Sequence, residues 1–253
     1  MCGRFTNMFK WRELQVLMDL LDWTGVEIPP RYNLAPTQQA PVVRATGDGS
    51  RHGAMLRWGL VPSWADDLSI GSRMINARAE TLAEKPAFRH AFARRRCLVP
   101  ISGFYEWKAA PAAASAKKPG SKQPYYIVRQ DRRPFVLAGL WESCAKVENP
   151  AGPGPLETFT LITTTPNRLL SQLHDRMPVI LSPEQFGAWL DPANHDTEGL
   201  ARLLVPAPAE EFEMHPVPRL VSNPRLEGPD LIRPVAADGA ADGGTVQNPE
   251  TLF

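Results

Sequence analysis

Short β-rich segments separated by turn residues leave this chain few ways to fold. Residues 39–44, 96–100, 125–129, 135–140 and 158–164 carry Val, Ile, Leu, Phe, Tyr or Thr in runs too brief for a helix. Runs of that kind predict a curled, largely antiparallel sheet. One helix precedes them: Leu14, Leu17, Met18 and Leu21 fall at i, i+3, i+4 and i+7, a stripe that buries against a sheet, with Thr6 or Asn7 placed to cap its start. Segments 109–123 and 145–156 are rich in Ala, Pro, Gly and Ser and read as loops inserted between strands of one sheet, not as domain boundaries. From about residue 236 to 253 apolar residues are few, which predicts a disordered tail. The sequence has no internal repeat, heptad run or phosphate-cradling Gly loop.

Composition narrows the function classes less than it narrows the fold. The chain has 253 residues, and 28 basic residues against 27 acidic leave a net charge of +1, so a nucleic-acid site must be a local patch. Cys2, Cys97 and Cys144 form an odd set without metal-ligand spacing. That pattern predicts no disulfide framework, no metal and no cofactor, and a reducing, cytoplasmic setting with Cys97 and Cys144 in the core. No apolar run approaches the roughly 20 residues that span a bilayer, and no signal-like apolar region opens the chain, so neither membrane insertion nor secretion is expected.

The second residue carries the sharpest chemistry. A small penultimate side chain permits removal of Met1, and Cys2 would then hold two nucleophiles on one carbon. Its α-amine titrates near ~8 and its thiol near ~8.5, so each is partly reactive at neutral pH. An aldehyde can take the amine as an imine and then the thiol at the same carbon, closing a five-membered thiazolidine. The alternative is that Cys2 is an incidental small residue.

Polar groups recur inside otherwise apolar, turn-flanked stretches: RYNLAP (31–36), RWGLVPSW (57–64), INARAET (75–81), GFYEWK (103–108) and LHDRMPVIL (173–181). In that order, and following an N-terminal MCGRF, these motifs resemble the SRAP family, the SOS-response-associated peptidases that include the abasic-site sensor proteins of bacteria and animals. The resemblance runs from Cys2 to about Val235, taking in the MHPVPRLVSN stretch (214–223). It implies a single α+β domain over residues 2–235 with a barrel-like β core flanked by helices. It also implies single-stranded DNA containing abasic sites as the partner, a covalent bond from the N-terminal cysteine to the abasic deoxyribose, and a peptidase activity directed chiefly at the protein's own Met1. A monomer that associates with the nucleoid when on DNA is the matching expectation.

The same resemblance assigns roles. Cys2 would make both bonds to the sugar aldehyde. Glu106, between Tyr105 and Trp107 on a partly buried strand, would pass protons during sugar opening and water loss. His174 would hold or protonate the ring oxygen, a task suited to a group that exchanges protons near neutrality. Asn76 would orient the amine or a sugar hydroxyl by amide hydrogen bonds. Arg78, Arg4 and Arg176 are the matching phosphate-binding arginines, Trp64 the base-stacking wedge, and Pro36 a residue that shapes the same groove. Each has a plainer reading: a solvent-facing strand glutamate, a satisfied core histidine, a turn asparagine. Ser63 precedes Trp64 where some members carry a second aromatic, which implies a narrower stacking platform. Trp58 and Trp107 are expected in the core, and the Arg94–Arg95–Arg96 run is expected to be a solvated edge rather than a DNA contact.

Three other functions compete. An N-terminal-nucleophile hydrolase of the glutamine amidotransferase type also begins Met-Cys-Gly, but the arginine and Asn-Gly motifs that hold glutamine are missing. A peptidase acting on other proteins would use Glu106 and His174 with Cys2. A non-covalent single-strand binder would need only Arg78, Arg4 and Trp64.

Overall fold

The computed structural model describes residues 2–18, 28–108 and 122–236. Among these residues thirteen strands follow in chain order: β1 (Phe5–Asn7), β2 (Arg31–Leu34), β3 (Gln39–Ala45), β4 (Arg51–Trp58), β5 (Asn76–Arg78), β6 (Arg96–Ile101), β7 (Gly103–Lys108), β8 (Gln123–Arg129), β9 (Phe135–Cys144), β10 (Leu156–Thr164), β11 (Met177–Pro178), β12 (Ile180–Leu181) and β13 (Phe212–Pro216). Among the described residues the α-helices are α1 (Trp11–Met18), α2 (Arg89–Arg94), α3 (Phe186–Leu190) and α4 (Thr197–Ala201). All five segments expected to be strands are strands. The expected tail lies outside the described residues except Ala236, as do Leu21 and most of the 109–123 loop. That loop and the 145–156 segment each join partners in one sheet, β7 to β8 and β9 to β10.

Five strands close into a barrel, because β10 pairs with β4 on one side and β9 on the other, while β3 and β6 complete the ring. The edge of β10 facing β4 is shared. Thr158 and Phe159 align with Arg57 and Trp58, and then Leu161 to Thr163 align with Asn76 to Arg78 of β5, both in parallel. These parallel pairs depart from an otherwise antiparallel structure. A second sheet, in the order β13-β8-β7-β1-β2, is antiparallel throughout. The whole is one α+β domain.

Alternation along the strands decides what each face packs against. Phe5, Phe104, Ile127 and Phe212 turn from the second sheet toward the barrel residues Trp58, Val99, Leu137 and Phe159 and form one apolar cluster with them. Tyr105, Tyr126 and Val128 turn the other way, under Val217, Val221 and Leu231 of the C-terminal segment. On α1, Leu14 and Met18 are fully buried while Val16 is 86% exposed, as the i, i+4 stripe requires.

Three sequence expectations differ from the structure. Thr6 and Asn7 belong to β1 and do not cap α1; the Thr6 hydroxyl lies 2.8 Å from the Tyr126 hydroxyl. The helix instead starts after Lys10, whose N–H is met by the Glu13 carboxylate at 3.4 Å. Arg96 is not solvated. Only 3% exposed, it donates to the carbonyls of Trp189, Phe92, Asp191 and Asn194 at 2.6–3.0 Å and fastens the C-terminal end of α3 to β6. Burial lowers its pKa, yet a guanidinium donating to four carbonyls keeps its charge. Arg95 pairs with Glu142 at 2.7 Å, and Arg94 alone of the three is exposed. Trp58 is buried as expected, whereas Trp107 is half-buried with its indole N–H donating to Ser222 at 3.1 Å.

The loop leaving β4 depends on Gly59. Its φ is +116°, and a Cβ there would stand 2.7 Å from the Gly71 carbonyl oxygen. Gly59→Ala therefore combines backbone strain with a clash against backbone and is expected to cost about 2–3 kcal/mol. A lower urea midpoint at unchanged slope measures it.

Candidate active site

The N-terminal segment enters a seam between the two sheets. The Arg4 carbonyl accepts the Tyr105 N–H at 3.0 Å, and Phe5 and Thr6 align with Phe104 and Gly103, so β1 is added to the edge of β7. Cys2 is 0% exposed within the cluster shared by sheet and barrel. Glu106, two residues beyond Phe104 on β7 and 4% exposed, takes the same face. From the barrel side, the Asn76 amide donates to the Cys2 carbonyl at 2.8 Å. Asn76 is the first residue of β5, whose backbone is fixed by β10. Its own Oδ1 is buried and accepts no hydrogen bond among the described residues.

Burial pushes the Cys2 thiol up to about 12, with the Glu106 charge adding to the effect and a nearby N-terminal ammonium opposing it. The Cys2 Sγ lies 3.9 Å from the Arg4 carbonyl, a weak contact for a thiol kept neutral. Glu106 also accepts the Trp107 N–H at 3.2 Å.

His174 follows a short turn and is one-third exposed at the side chain. Its Nδ1 lies 2.6 Å from Asp175 Oδ1 and 3.1 Å from the Arg176 N–H. One nitrogen cannot serve both, since it donates to the carboxylate when protonated and accepts the amide when not. Among the described residues its Nε2 makes no hydrogen bond, and the ring touches none of Cys2, Asn76 and Glu106 through one. The structure thus brings Cys2, Asn76 and Glu106 together, while His174 is bonded to Asp175 and Arg176 and to none of the three.

The arginines expected on DNA divide into two kinds. Arg4 donates to Asn33 Oδ1 at 2.6 Å and to the carbonyls of Val221 and Ser222 at 2.7 and 3.2 Å. Arg176 forms a bidentate pair with Glu80 at 2.7 and 2.8 Å, donates to the Thr163 carbonyl at 2.6 Å, and holds the Glu80 carboxyl below the usual range. Both guanidiniums are committed inside the protein. Arg78 differs: on the same face of β5 as Asn76, it is exposed and makes no hydrogen bond or ion pair among the described residues. Trp64 is 52% exposed, in a segment pinned where Cys144 meets the carbonyls of Ser63 and Ala65. Pro36 is half-buried at the turn after β2. There Thr37 adopts a φ of 74°, which a β-branched residue seldom takes, and its carbonyl accepts Arg57 at 2.6 Å.

Two residues of the site were not singled out by sequence. Asn33 is fully buried and joins Arg4 to the C-terminal segment by donating to the carbonyls of Asn223 and Leu226 at 2.9 Å each. Glu80 is the partner that takes Arg176. Both stand inside motifs already recognised, RYNLAP and INARAET, and that position was the available signal.

This geometry, a buried Cys2 whose carbonyl is held by an asparagine of INARAET beside a glutamate of GFYEWK, falls within the extent of one family. The SOS response associated peptidase (SRAP) family matches residues 1–224, and the chain belongs to it. It is 43% identical over 234 residues to the abasic site processing protein YoqW of Bacillus subtilis, covering 92% of this chain and 99% of that one. It is 32% identical to the abasic site processing protein HMCES of Gallus gallus, over 81% of this chain and 66% of the relative. A solved protein from Bacteroides thetaiotaomicron superposes with a TM-score of 0.76 at 26% identity, over 93% of this chain and all of the other. Among the described residues no helix is long and apolar enough to cross a membrane, and no group of His, Cys, Asp and Glu is arranged to hold a metal ion.

The buried thiols make stability pH-dependent. Burial raises both Cys2 and Cys97, so the folded state keeps protons that the unfolded chain releases above about 8.5. Their contribution is complete below that pH and declines above it, by at most about 1.4 kcal/mol per pH unit for each thiol. Tyr105 and Tyr126, also raised by burial, join above about pH 10. Denaturation midpoints at pH 7, 8.5 and 10 are expected to be level over the first interval and to fall over the second. Cys2→Ala should reduce that fall by about half.

Proposed function

We propose that the chain captures abasic sites in single-stranded DNA by a covalent thiazolidine on Cys2 after Met1 is removed, shielding the sugar from strand cleavage. The observation that carries this reading is the placement of Cys2, buried beside Glu106 with its carbonyl fixed by Asn76. The relatives' naming as abasic site processing proteins points the same way.

The chemistry follows from the groups present. The neutral α-amine of Cys2 attacks C1′ of the open-chain deoxyribose; the carbinolamine then loses water to give an imine. The thiol adds across the C=N bond, sulfur to carbon and proton to nitrogen, so the ring closes without further loss of atoms. A thiol held neutral until that step waits for the imine to form before it reacts. The Glu106 carboxylate, near enough for its charge to keep the proton on sulfur, is placed to carry protons between the thiol, the amine and the departing hydroxyl. Asn76 Oδ1, buried and without a donor, fits an amine or sugar hydroxyl. The exposed Nε2 side of His174 suits the ring oxygen as the sugar opens. Arg78 is the free cation for the phosphate, and Trp64 and Pro36 present the surface along which bases lie. Arg4 and Arg176 act by holding the N-terminal segment and the end of β10, reaching DNA only at the edges of their networks.

The test uses DNA with one abasic site and three forms of the protein. Wild type should give a heat-stable adduct without reductant. Cys2→Ser, which keeps the amine, should give an adduct only when borohydride traps the imine, and should nick the strand otherwise. A Cys2→Ser protein that is neither trapped nor able to nick, or a Cys2→Ala protein forming the heat-stable adduct at the wild-type level, contradicts the proposal.

A further inference from the structure

Among the described residues only Thr37 and Arg132 carry a positive φ without being glycine. Thr37 is β-branched and exposed, so no packing of its own side chain offsets the strain. The conformation is imposed by bonds around it. The Thr37 N–H donates to the Trp58 carbonyl at 2.9 Å, the Gln38 N–H donates to the Ala35 carbonyl at 3.2 Å, and the Thr37 carbonyl accepts Arg57 at 2.6 Å. Backbone strain held at several points marks a place whose shape serves more than folding.

Arg57, which holds that turn, also lines a groove of about 660 Å³ between β4 and the 149–155 loop. Along β4, Leu56 and Trp58 are fully buried, and Arg57 between them turns to the opposite face. Gln39, its register partner on β3, is exposed beside it, and Met55 and Pro155 give the groove apolar walls. The acidic neighbour is spent: Glu157 is taken by Arg44 in a bidentate pair at 2.6 and 3.1 Å. Arg57 gives one nitrogen to Thr37, while its Nε and Nη2 make no hydrogen bond or ion pair among the described residues. The Gln39 amide and the Thr37 hydroxyl are likewise without a partner there. Partial burial lowers the Arg57 pKa and no carboxylate offsets it, so the groove holds a cation short of both water and counter-ion.

We infer that Arg57, Gln39 and Thr37 form a phosphodiester site for single-stranded DNA, which takes the strand after it has passed Pro36. The inference rests on the proposed DNA reading and carries the path of the strand beyond the Cys2 seam. A guanidinium with two unspent nitrogens forks onto phosphate oxygens, and an amide and a hydroxyl supply further donors. Pro36 immediately precedes Thr37, so the site continues the surface along which bases lie. Arg57 aligns with Thr158 of β10 and Asn76 with Leu161, three residues farther along the strand. That separation is about 10 Å of strand rise, so the phosphate on Arg57 lies beyond the sugar bonded to Cys2.

Equilibrium binding of a fluorescent oligothymidylate of about 20 nucleotides without any abasic site, over a series of salt concentrations, tests the site independently of Cys2 chemistry. Arg57→Gln is expected to bind about threefold to tenfold more weakly and to lower the salt slope by about 0.7, the loss of one phosphate contact. That variant also loses the bond to Thr37, so Gln39→Lys is made beside it, adding a cation to the groove without touching the turn. It should bind about threefold more tightly and raise the slope by about 0.7. Gln130→Lys, the same change of charge between β8 and β9 and outside the groove, serves as the control and should match wild type. Either Arg57→Gln or Gln39→Lys with the wild-type affinity and slope, or an equal gain in Gln39→Lys and Gln130→Lys, overturns the site. If wild type itself fails to bind the oligothymidylate, the DNA reading falls with it, and the wild-type arm alone shows that.

Discussion

The candidate site depends on burying a chain terminus, which is ordinarily the loosest part of a protein. Ordering each residue of backbone costs about 1–2 kcal/mol, and one hydrogen bond returns about 1 kcal/mol. The bond from Asn76 to the Cys2 carbonyl therefore cannot hold the terminus alone. It is joined by the strand pairing of Arg4 with Tyr105, by the apolar burial of Cys2 and Phe5, and by the Arg4 guanidinium clamped between Asn33 and the carbonyls of Val221 and Ser222. The C-terminal segment thus closes over the second sheet and secures the chain's beginning. A reactive residue built this way is anchored by the strand that follows it, which lies between β7 and β2, and so has a fixed direction of approach instead of swinging on a free end.

The barrel supplies the other half of that seam. Because β10 gives part of one edge to β4 and the rest to β5, the short INARAET strand lies flush with the barrel wall, and Asn76 and Arg78 share one face. Asn76 turns to Cys2 while Arg78 stays in solvent. Arg176, tied to Glu80 and the Thr163 carbonyl, braces the far end of the same strand. With a net charge of only +1, attraction for a polyanion must come from the few cations not spent internally. Arg78 and Arg94 are two such groups.

Much of the architecture was legible from local pattern. The ends of β3, β6, β8, β9 and β10 fall within a few residues of their β-rich runs, and the Leu14–Met18 stripe is the buried face of α1. β4 escaped because His52 and Gly53 interrupt its apolar pattern, and its parallel pairing with β10 is a long-range fact that no window of sequence contains. Asn76 and Glu106, which stand in two different motifs, both lie against Cys2 in the fold. Residue type alone did not separate an arginine left in solvent, as Arg78 is, from one that holds the fold together. Arg4, Arg96 and Arg176 each donate to backbone carbonyls contributed by distant segments, so their commitment becomes visible only once the chain is folded. The positive φ of Gly59 and its close approach to Gly71 are demands of the backbone itself, and they too become visible only in the folded chain.

The central claim is that both nucleophiles of Cys2 end on the same carbon, and intact mass with a thiol count tests it most directly. An imine and a thiazolidine weigh the same, each equal to the chain without Met1 plus the oligonucleotide minus one water, so mass alone fixes the bond to the amine but not to sulfur. The chain contains three cysteines, and alkylation of the denatured adduct reads how many thiols remain free. The account predicts that mass, with Cys97 and Cys144 alkylated and Cys2 protected. An adduct on a chain retaining Met1, or one in which Cys2 alkylates along with the other two, would contradict it.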